Sequence, residues 1–232
     1  MPPQPFAVIA GVGPGTGASV ARRFARSYPV ILLARTPASY ETLVDEITKS
    51  GGKALGISTD VSSPDSVKAA FQKVETEFAG AGCAAAVFNA SGGFSRKPFL
   101  ETSVEEFSSA NNVSINGPFI FSQAVLPLLL KNVEASREQG QHPPTLIFTG
   151  ATASVKSNAM MSSFSTGKYA LRALAQSLGK EFGPKGVHVG HAIIDGVINI
   201  PRTKEWMKDA GPDAKISADA VSLDASYRDG IC

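Results

Sequence analysis

Four glycines at alternating positions, Gly11, Gly13, Gly15 and Gly17, stand near the start of the 232-residue sequence. Residues without side chains let a backbone turn tightly and let a ligand come close to it. The apolar run before them, residues 6–10, is long enough for a buried strand. After them Val20, Ala21, Phe24 and Ala25 recur at helical spacing, with Arg22, Arg23 and Arg26 on other faces. Strand, glycine turn and helix in that order aim unpaired N–H groups and the positive end of a helix dipole at one point, which suits a pyrophosphate. The unit predicts a dinucleotide site whose turn is Gly11, Gly13, Gly15, Thr16 and Gly17. A second apolar strand over residues 29–34 runs straight into Arg35. An acidic side chain at Ala34 would accept from a ribose 2′-hydroxyl and repel a 2′-phosphate. None is present, and the Arg35 guanidinium can grip a phosphate through two donors. NADP(H) is therefore expected in preference to NAD(H).

Other chemistries find little support. His142, His188 and His191 make no metal or triad pattern, so no metal site is expected, and His188 and His191 read as satisfied core or edge residues. No Gly-x-Ser-x-Gly nucleophile turn exists. Lys and Arg number 22 against 20 Asp and Glu, a net charge of +2, which gives no electrostatic case for nucleic acid or an anionic membrane. Cys83 and Cys232 form no disulfide framework, which fits a reducing, cytoplasmic compartment. MPPQP leads directly into the first strand and leaves no room for a signal peptide. The apolar run at residues 124–130 contains Pro127 and is far too short to span a bilayer.

Strands and helices alternate along the rest of the chain. Helices are predicted over residues 39–50 and 64–78, the second with Ser63 as N-cap and Pro64 in its first turn. Further helices are expected over residues 103–110, 114–133 and 162–182, with a polar loop at 134–144. Strands are predicted at 53–58, 84–88, 146–148 and 187–194, and a weak helix near 218–225. Near-continuous apolar strands in a βαβα rhythm argue for an α/β fold: a Rossmann-like, doubly wound parallel sheet with helices on both faces. No linker divides the chain, so one domain over residues 1–232 is expected.

Taken in order, these motifs resemble the short-chain dehydrogenase/reductase family over residues 6–201. The family's Thr-Gly-x-x-x-Gly-x-Gly turn is matched by residues 10–17, with Ala10 for the leading Thr. Its acidic-aliphatic pair beside the adenine is matched by Asp60 and Val61, and its Asn-Ala-Gly motif in part by Asn89 and Ala90, followed by Ser91 and Gly92. Gly196 matches the glycine after the sixth strand, where Asp195 replaces the family's Pro and Ile200 replaces a Thr that meets the nicotinamide amide.

The resemblance implies carbonyl or alcohol chemistry by four side chains, a Tyr and a Lys four residues apart with a Ser and an Asn. Here the Tyr position is Phe164, on the same helical face as Lys168, about 40° away. The Ser position is Ala151, with Thr152 the nearest hydroxyl, and the Asn position is Ser114. Asn111, Asn112 and Asn116 are expected to point elsewhere on a regular helix, and Tyr169 lies about 140° from Phe164. Of the four groups only Lys168 matches. Two readings follow. One is an atypical NADP(H) oxidoreductase acting on a small organic substrate, its proton supplied by Thr152, Ser162, Ser163 or a water held by Lys168. The other is a protein that binds the dinucleotide without redox chemistry, as a structural or regulatory ligand, or a non-redox enzyme on the same fold. Trp206 and Met207 fall where the family covers its substrate.

The family also leads one to expect a further strand after residue 218, and no apolar run after Val221 can form it. The sheet is therefore expected to lack its last edge strand. The strand at 187–194 would then be an open edge, and homo-oligomer formation of the usual kind would be weakened.

Overall fold

The computed structural model describes residues 3–211 and 214–227. Six strands form one parallel sheet: β1 (Phe6–Ala10), β2 (Val30–Ala34), β3 (Ala54–Ser58), β4 (Cys83–Phe88), β5 (Thr145–Thr149) and β6 (His188–Ala192), in the order β3-β2-β1-β4-β5-β6. The chain runs outward from β1 to β3, then crosses back to β4. The strand order therefore reverses between β1 and β4, and a crevice opens at their carboxyl ends.

Alternation along each strand splits the core in two. Phe6, Val8, Ala86, Phe88, Leu146 and Phe148 face one side. There α3 (Pro64–Glu77) brings Val67 and Phe71, α5 (Gly117–Lys131) brings Phe121 and Val125, and α7 (Ser162–Phe182) brings Leu171. Ala7, Ile9, Val30, Leu32 and Val87 face the other side, against Phe24 of α1 (Thr16–Phe24) and Leu43 of α2 (Glu41–Lys49). On the first side a chain of rings ties the layers together: Phe71 meets Phe121 at 5.9 Å between centroids, Phe121 meets Phe88 at 5.6 Å, and Phe88 meets Phe148 at 6.5 Å. Ser63 caps α3 by accepting from Ser66 N–H, as its position predicts.

The predicted strands and most helices are present, with four differences. The helix predicted from residue 39 starts at Glu41, because residues 37–39 form a 3₁₀ turn behind Pro37. The long helix predicted over 114–133 is not uniform: α4 (Val104–Asn111) passes through a π-helical turn, Asn112–Asn116, before α5 begins. Asn132 ends α5, and the expected loop after it starts with a short helix, α6 (Val133–Glu138), held by a hydrogen bond from Asn132 Nδ2 to Ser136 Oγ. A small parallel pair, β7 (Val197–Asn199) with β8 (Lys215–Ser217), was not expected, since neither three-residue stretch has a strand signature. The weak helix near the end is α8 (Ala218–Tyr227), which packs against α1 through a 2.6 Å bond from Ser19 Oγ to Asp219.

Among the described residues β6 is one edge of the sheet. Cys232 and the rest of the chain after Tyr227 lie outside the described residues. The continuous helical stretch Val104–Lys131 is long and apolar enough to cross a membrane by length and composition, which the run at 124–130 alone did not indicate. In this fold its Phe121, Val125 and Leu129 are buried against the sheet.

Phe121 stands at the centre of the ring chain and is fully buried. Phe121→Ala should cost about 3–5 kcal/mol, because transfer free energy and a residual cavity both count. A urea midpoint shifted accordingly, with an unchanged slope, would confirm this; a shift under about 1 kcal/mol would contradict the packing described.

Candidate active site

The glycine turn is shaped by contact with the next strand's end. Gly11 has φ +90°, and its N–H donates to the Leu33 carbonyl at 2.9 Å. A Cβ on Gly11 would lie 2.3 Å from Ala90 N, and one on Gly17 would lie 2.6 Å from the Gly11 carbonyl oxygen. Asn89 secures the arrangement: its backbone N–H donates to Ala10 O and its Nδ2 to Gly11 O, at 2.8 and 2.9 Å. Gly15 precedes α1, and neither a side-chain cap nor an acidic residue occupies the first turn of that helix. Thr16 is buried, and around Gly13 no atom lies within 4 Å of where a Cβ would be. The end of α1 thus offers N–H donors and dipole to an anion. Ile200 leans onto Gly15 from the opposite side, its Cγ2 2.6 Å from a Cβ there.

Arg35 is exposed at the end of β2. Hydrogen bonds from the Ser62 side chain and backbone hold the Asp60 carboxyl below its usual range, with a smaller contribution from the Arg35 charge. Val61 is buried and packs toward Gly117 at the start of α5.

Lys168 and Phe164 share a face of α7 as predicted, with the ammonium 5.8 Å from the ring centroid. Lys168 is buried and donates to the Thr149 carbonyl at 2.8 Å. Burial without an anionic partner pushes its pKa down to about 8. Ser114 Oγ accepts from Gly92 N–H at 3.1 Å, and its Cβ lies 2.7 Å from a Cβ built on Gly167 of α7. Asn111 does not point elsewhere as expected from a regular helix. Its Oδ1 lies 3.1 Å from that same point and is buried without a partner, because the π-helical turn and Gly167 bring both side chains to α7. Ser163 Oγ is also buried without a partner.

Thr152 donates to Asp195 Oδ1 at 2.5 Å, joining the ends of β5 and β6. Sequence reading singled out Thr152 but not its partner. The available signal was a carboxylate where an apolar strand ends, next to Gly196, which itself packs under Ile216 of β8. His191 was also read too simply. It lies half-buried over Gly150 with Nε2 unpartnered, and burial together with the nearby Lys168 and Arg172 charges holds its pKa down to about 4. Three rings from separate segments meet above this region: Phe94 contacts Phe164 at 5.2 Å and Trp206 at 5.3 Å. Among the described residues no group of three or more His, Cys, Asp or Glu is placed to hold a metal.

Because the folded pKa of Lys168 lies below its unfolded value, the unfolded chain binds more protons between about pH 8 and 10.5, and stability rises with pH in that window. Lys168→Met removes this dependence. The stability difference between parent and variant should change by about 2 kcal/mol in the parent's favour between pH 7 and pH 9.5. Denaturant unfolding at the two pH values measures it; parallel pH curves would mean that the cation is not strained by burial.

A model of the short chain dehydrogenase family matches residues 5–211. The short-chain reductase protein NovJ of Streptomyces niveus is 29% identical over 229 residues, covering 98% of this chain and 82% of NovJ. A short chain dehydrogenase from Burkholderia cenocepacia, solved in complex with NADP, superposes with a TM-score of 0.83 at 22% identity, over 99% of this chain and 92% of that one. The 3-ketoacyl-(acyl-carrier-protein) reductase of Brucella melitensis, solved with NADH, gives 0.84 at 22% identity, over 98% and 91%. With the family's pattern running through nearly the whole fold, the chain belongs to the short chain dehydrogenase family.

Proposed function

We propose that the chain acts as a single-domain NADP(H)-dependent oxidoreductase on an alcohol or carbonyl of a small organic substrate, with Thr152 and Asp195 handling the proton. The observation that carries this reading is the 2.5 Å bond from Thr152 to Asp195 across the ends of β5 and β6, with the buried Lys168 anchored to Thr149 at the end of β5. The cradle at α1 fits a dinucleotide: its helix end is uncapped, the space at Gly13 is open, and Gly17 tolerates no side chain. Gly11, Gly13, Gly15, Thr16 and Gly17 would hold the pyrophosphate. Asp60 and Val61 would border the adenine, Asn89 and Ala90 would back the nucleotide, and Lys168 and Gly196 would meet its nicotinamide half. Arg35, exposed and without an acidic neighbour at Ala34, favours a 2′-phosphate, hence NADP(H) over NAD(H). A cytoplasmic setting belongs to the same reading, and burial pushes the Cys83 thiol up, which leaves it inert.

The nicotinamide, when bound, supplies the hydride acceptor or donor. In alcohol oxidation Thr152 Oγ1 would take the substrate hydroxyl proton as it passes its own to Asp195. Asp195 is exposed and returns the proton to water. Phe164 contributes no proton, and Ser114 holds the Gly92 loop.

One observation favours the redox-silent reading instead. Phe164 and Ala151 put hydrocarbon at both positions where the family places hydroxyls. Hydride transfer separates the two. A panel of alcohols with NADP, and of carbonyls with deuterated NADPH, should give product; tight NADPH binding with no transfer in either direction would select the silent form. Asp195→Asn should lower alcohol oxidation about 100-fold with NADPH affinity nearly unchanged, and Thr152→Val should do the same. Full activity in Asp195→Asn would eliminate the relay. Arg35→Glu should shift preference from NADP toward NAD by about tenfold or more, read from the two dissociation constants.

A further inference from the structure

Phe94, Phe164 and Trp206 come from three chain segments: the stretch after β4, the first turn of α7 and the stretch after β7. Their rings meet in edge and tilted contacts. None of the three is buried, and Phe94 and Trp206 each leave 37% of their surface to solvent. Aromatic rings joined only to fill a core would be closed over by other side chains. These three keep accessible π surface on the side of α7 that carries Lys168.

A second observation marks the same place. Among the described residues only two non-glycine residues have left-handed backbone, Met160 at φ 66° and Met207 at φ 55°. Met160 lies four residues before Phe164, and its carbonyl accepts from Lys97 N–H at 2.9 Å, which ties the segment bearing Phe94 to the entrance of α7. Met207 directly follows Trp206. Both methionine side chains are exposed. Backbone strain of this kind persists where surrounding structure enforces it, and it gathers at ligand sites. Here it lies beside the exposed rings and nowhere else among the described non-glycine residues.

Resting on the oxidoreductase reading, we infer that the substrate is a planar aromatic alcohol or its carbonyl counterpart, with its ring seated against Phe94, Phe164 and Trp206. Edge and tilted ring pairs present both the negative face and the positive edge of their π systems, which a second aromatic ring complements and a saturated ring does not. Exposed methionine thioethers beside the rings add polarizable contact of the same preference. The ring wall offers no hydrogen-bonding group of its own except the Trp206 indole N–H, so polar recognition falls to Thr152 and Lys168. Phe164 fits this role better than a Tyr would, because its edge-on contact with Phe94 carries no hydroxyl to be solvated.

Trp206 is the chain's single tryptophan and reports on the wall directly. Biphenylmethanol, titrated into the cofactor-free protein, should change Trp206 emission saturably, and its fully saturated analogue bicyclohexylmethanol should bind about tenfold more weakly. Phe94→Leu, which keeps an apolar side chain but removes the π system, should bring the two affinities to within about twofold. Equal affinities in the parent, or no emission change with biphenylmethanol, would overturn the inference. NADPH titrated separately should draw energy transfer from Trp206 to the reduced nicotinamide. If that transfer appears while biphenylmethanol fails, the cofactor reading stands and the aromatic substrate falls. If it is absent and NADPH binding is also undetected by calorimetry, the oxidoreductase reading falls and takes the substrate role of the ring wall with it.

Discussion

The site depends on backbone lying directly against backbone where β1 and β4 end. Gly11 rests on the Asn89–Ala90 peptide at a distance no side chain could share, and Asn89 locks the contact by donating to the strand end and to the turn. The same device then repeats away from the sheet. A Cβ on Gly92 would fall 1.9 Å from the Ala110 carbonyl oxygen, so the loop after Ala90 lies flat on α4. Gly167 in turn leaves room on α7 for Ser114 and Asn111. Three glycines on three segments thus make a continuous train of close approaches from the cradle to the helix that carries Lys168. Their cost is conformational entropy in the unfolded chain, offset by the packing density that close approach allows.

Electrostatically the site is unusual in what its cation lacks. Lys168 has a carbonyl for company and no carboxylate, which is why burial alone governs its proton affinity. His191 is held neutral first by burial and then by the nearby Lys168 and Arg172 charges. The carboxylate that is present, Asp195, engages a hydroxyl instead. Cation and carboxylate therefore sit on separate partners, a carbonyl and a hydroxyl, and are not joined to each other as an ion pair.

Much of this was legible in the chain itself. The continuous apolar runs at residues 6–10 and 29–34 predicted β1 and β2, and the glycine spacing predicted the turn, because hydrophobic pattern and steric freedom are local properties. The helical spacing of Phe164 and Lys168 held for the same reason. What escaped was set by distant partners. Thr152 and Asp195 are 43 residues apart, and only the pairing of β5 with β6 joins them. The ring contacts of Phe94 join segments with no periodic signal. β7 and β8 are three residues each, too short for alternation to register, and α6 follows from a local bond at Asn132 that polarity alone does not announce.

The π-helical turn at Asn112–Asn116 has a consequence for how this stretch can change. One extra residue per turn rotates everything after it by about 100° relative to an unbroken helix. That offset lets α4 address α7 through Asn111 while α5 turns Phe121, Val125 and Leu129 to the sheet. Excising a single residue there would close the turn into unbroken α-helix and leave the apolar stripe of α5 on the sheet, while removing the irregularity that carries Ser114 to the Gly92 amide. A gain or loss of one residue elsewhere in the stretch would instead turn that stripe by about 100°, so the π turn is where a single residue of length can be taken up without moving the faces on either side.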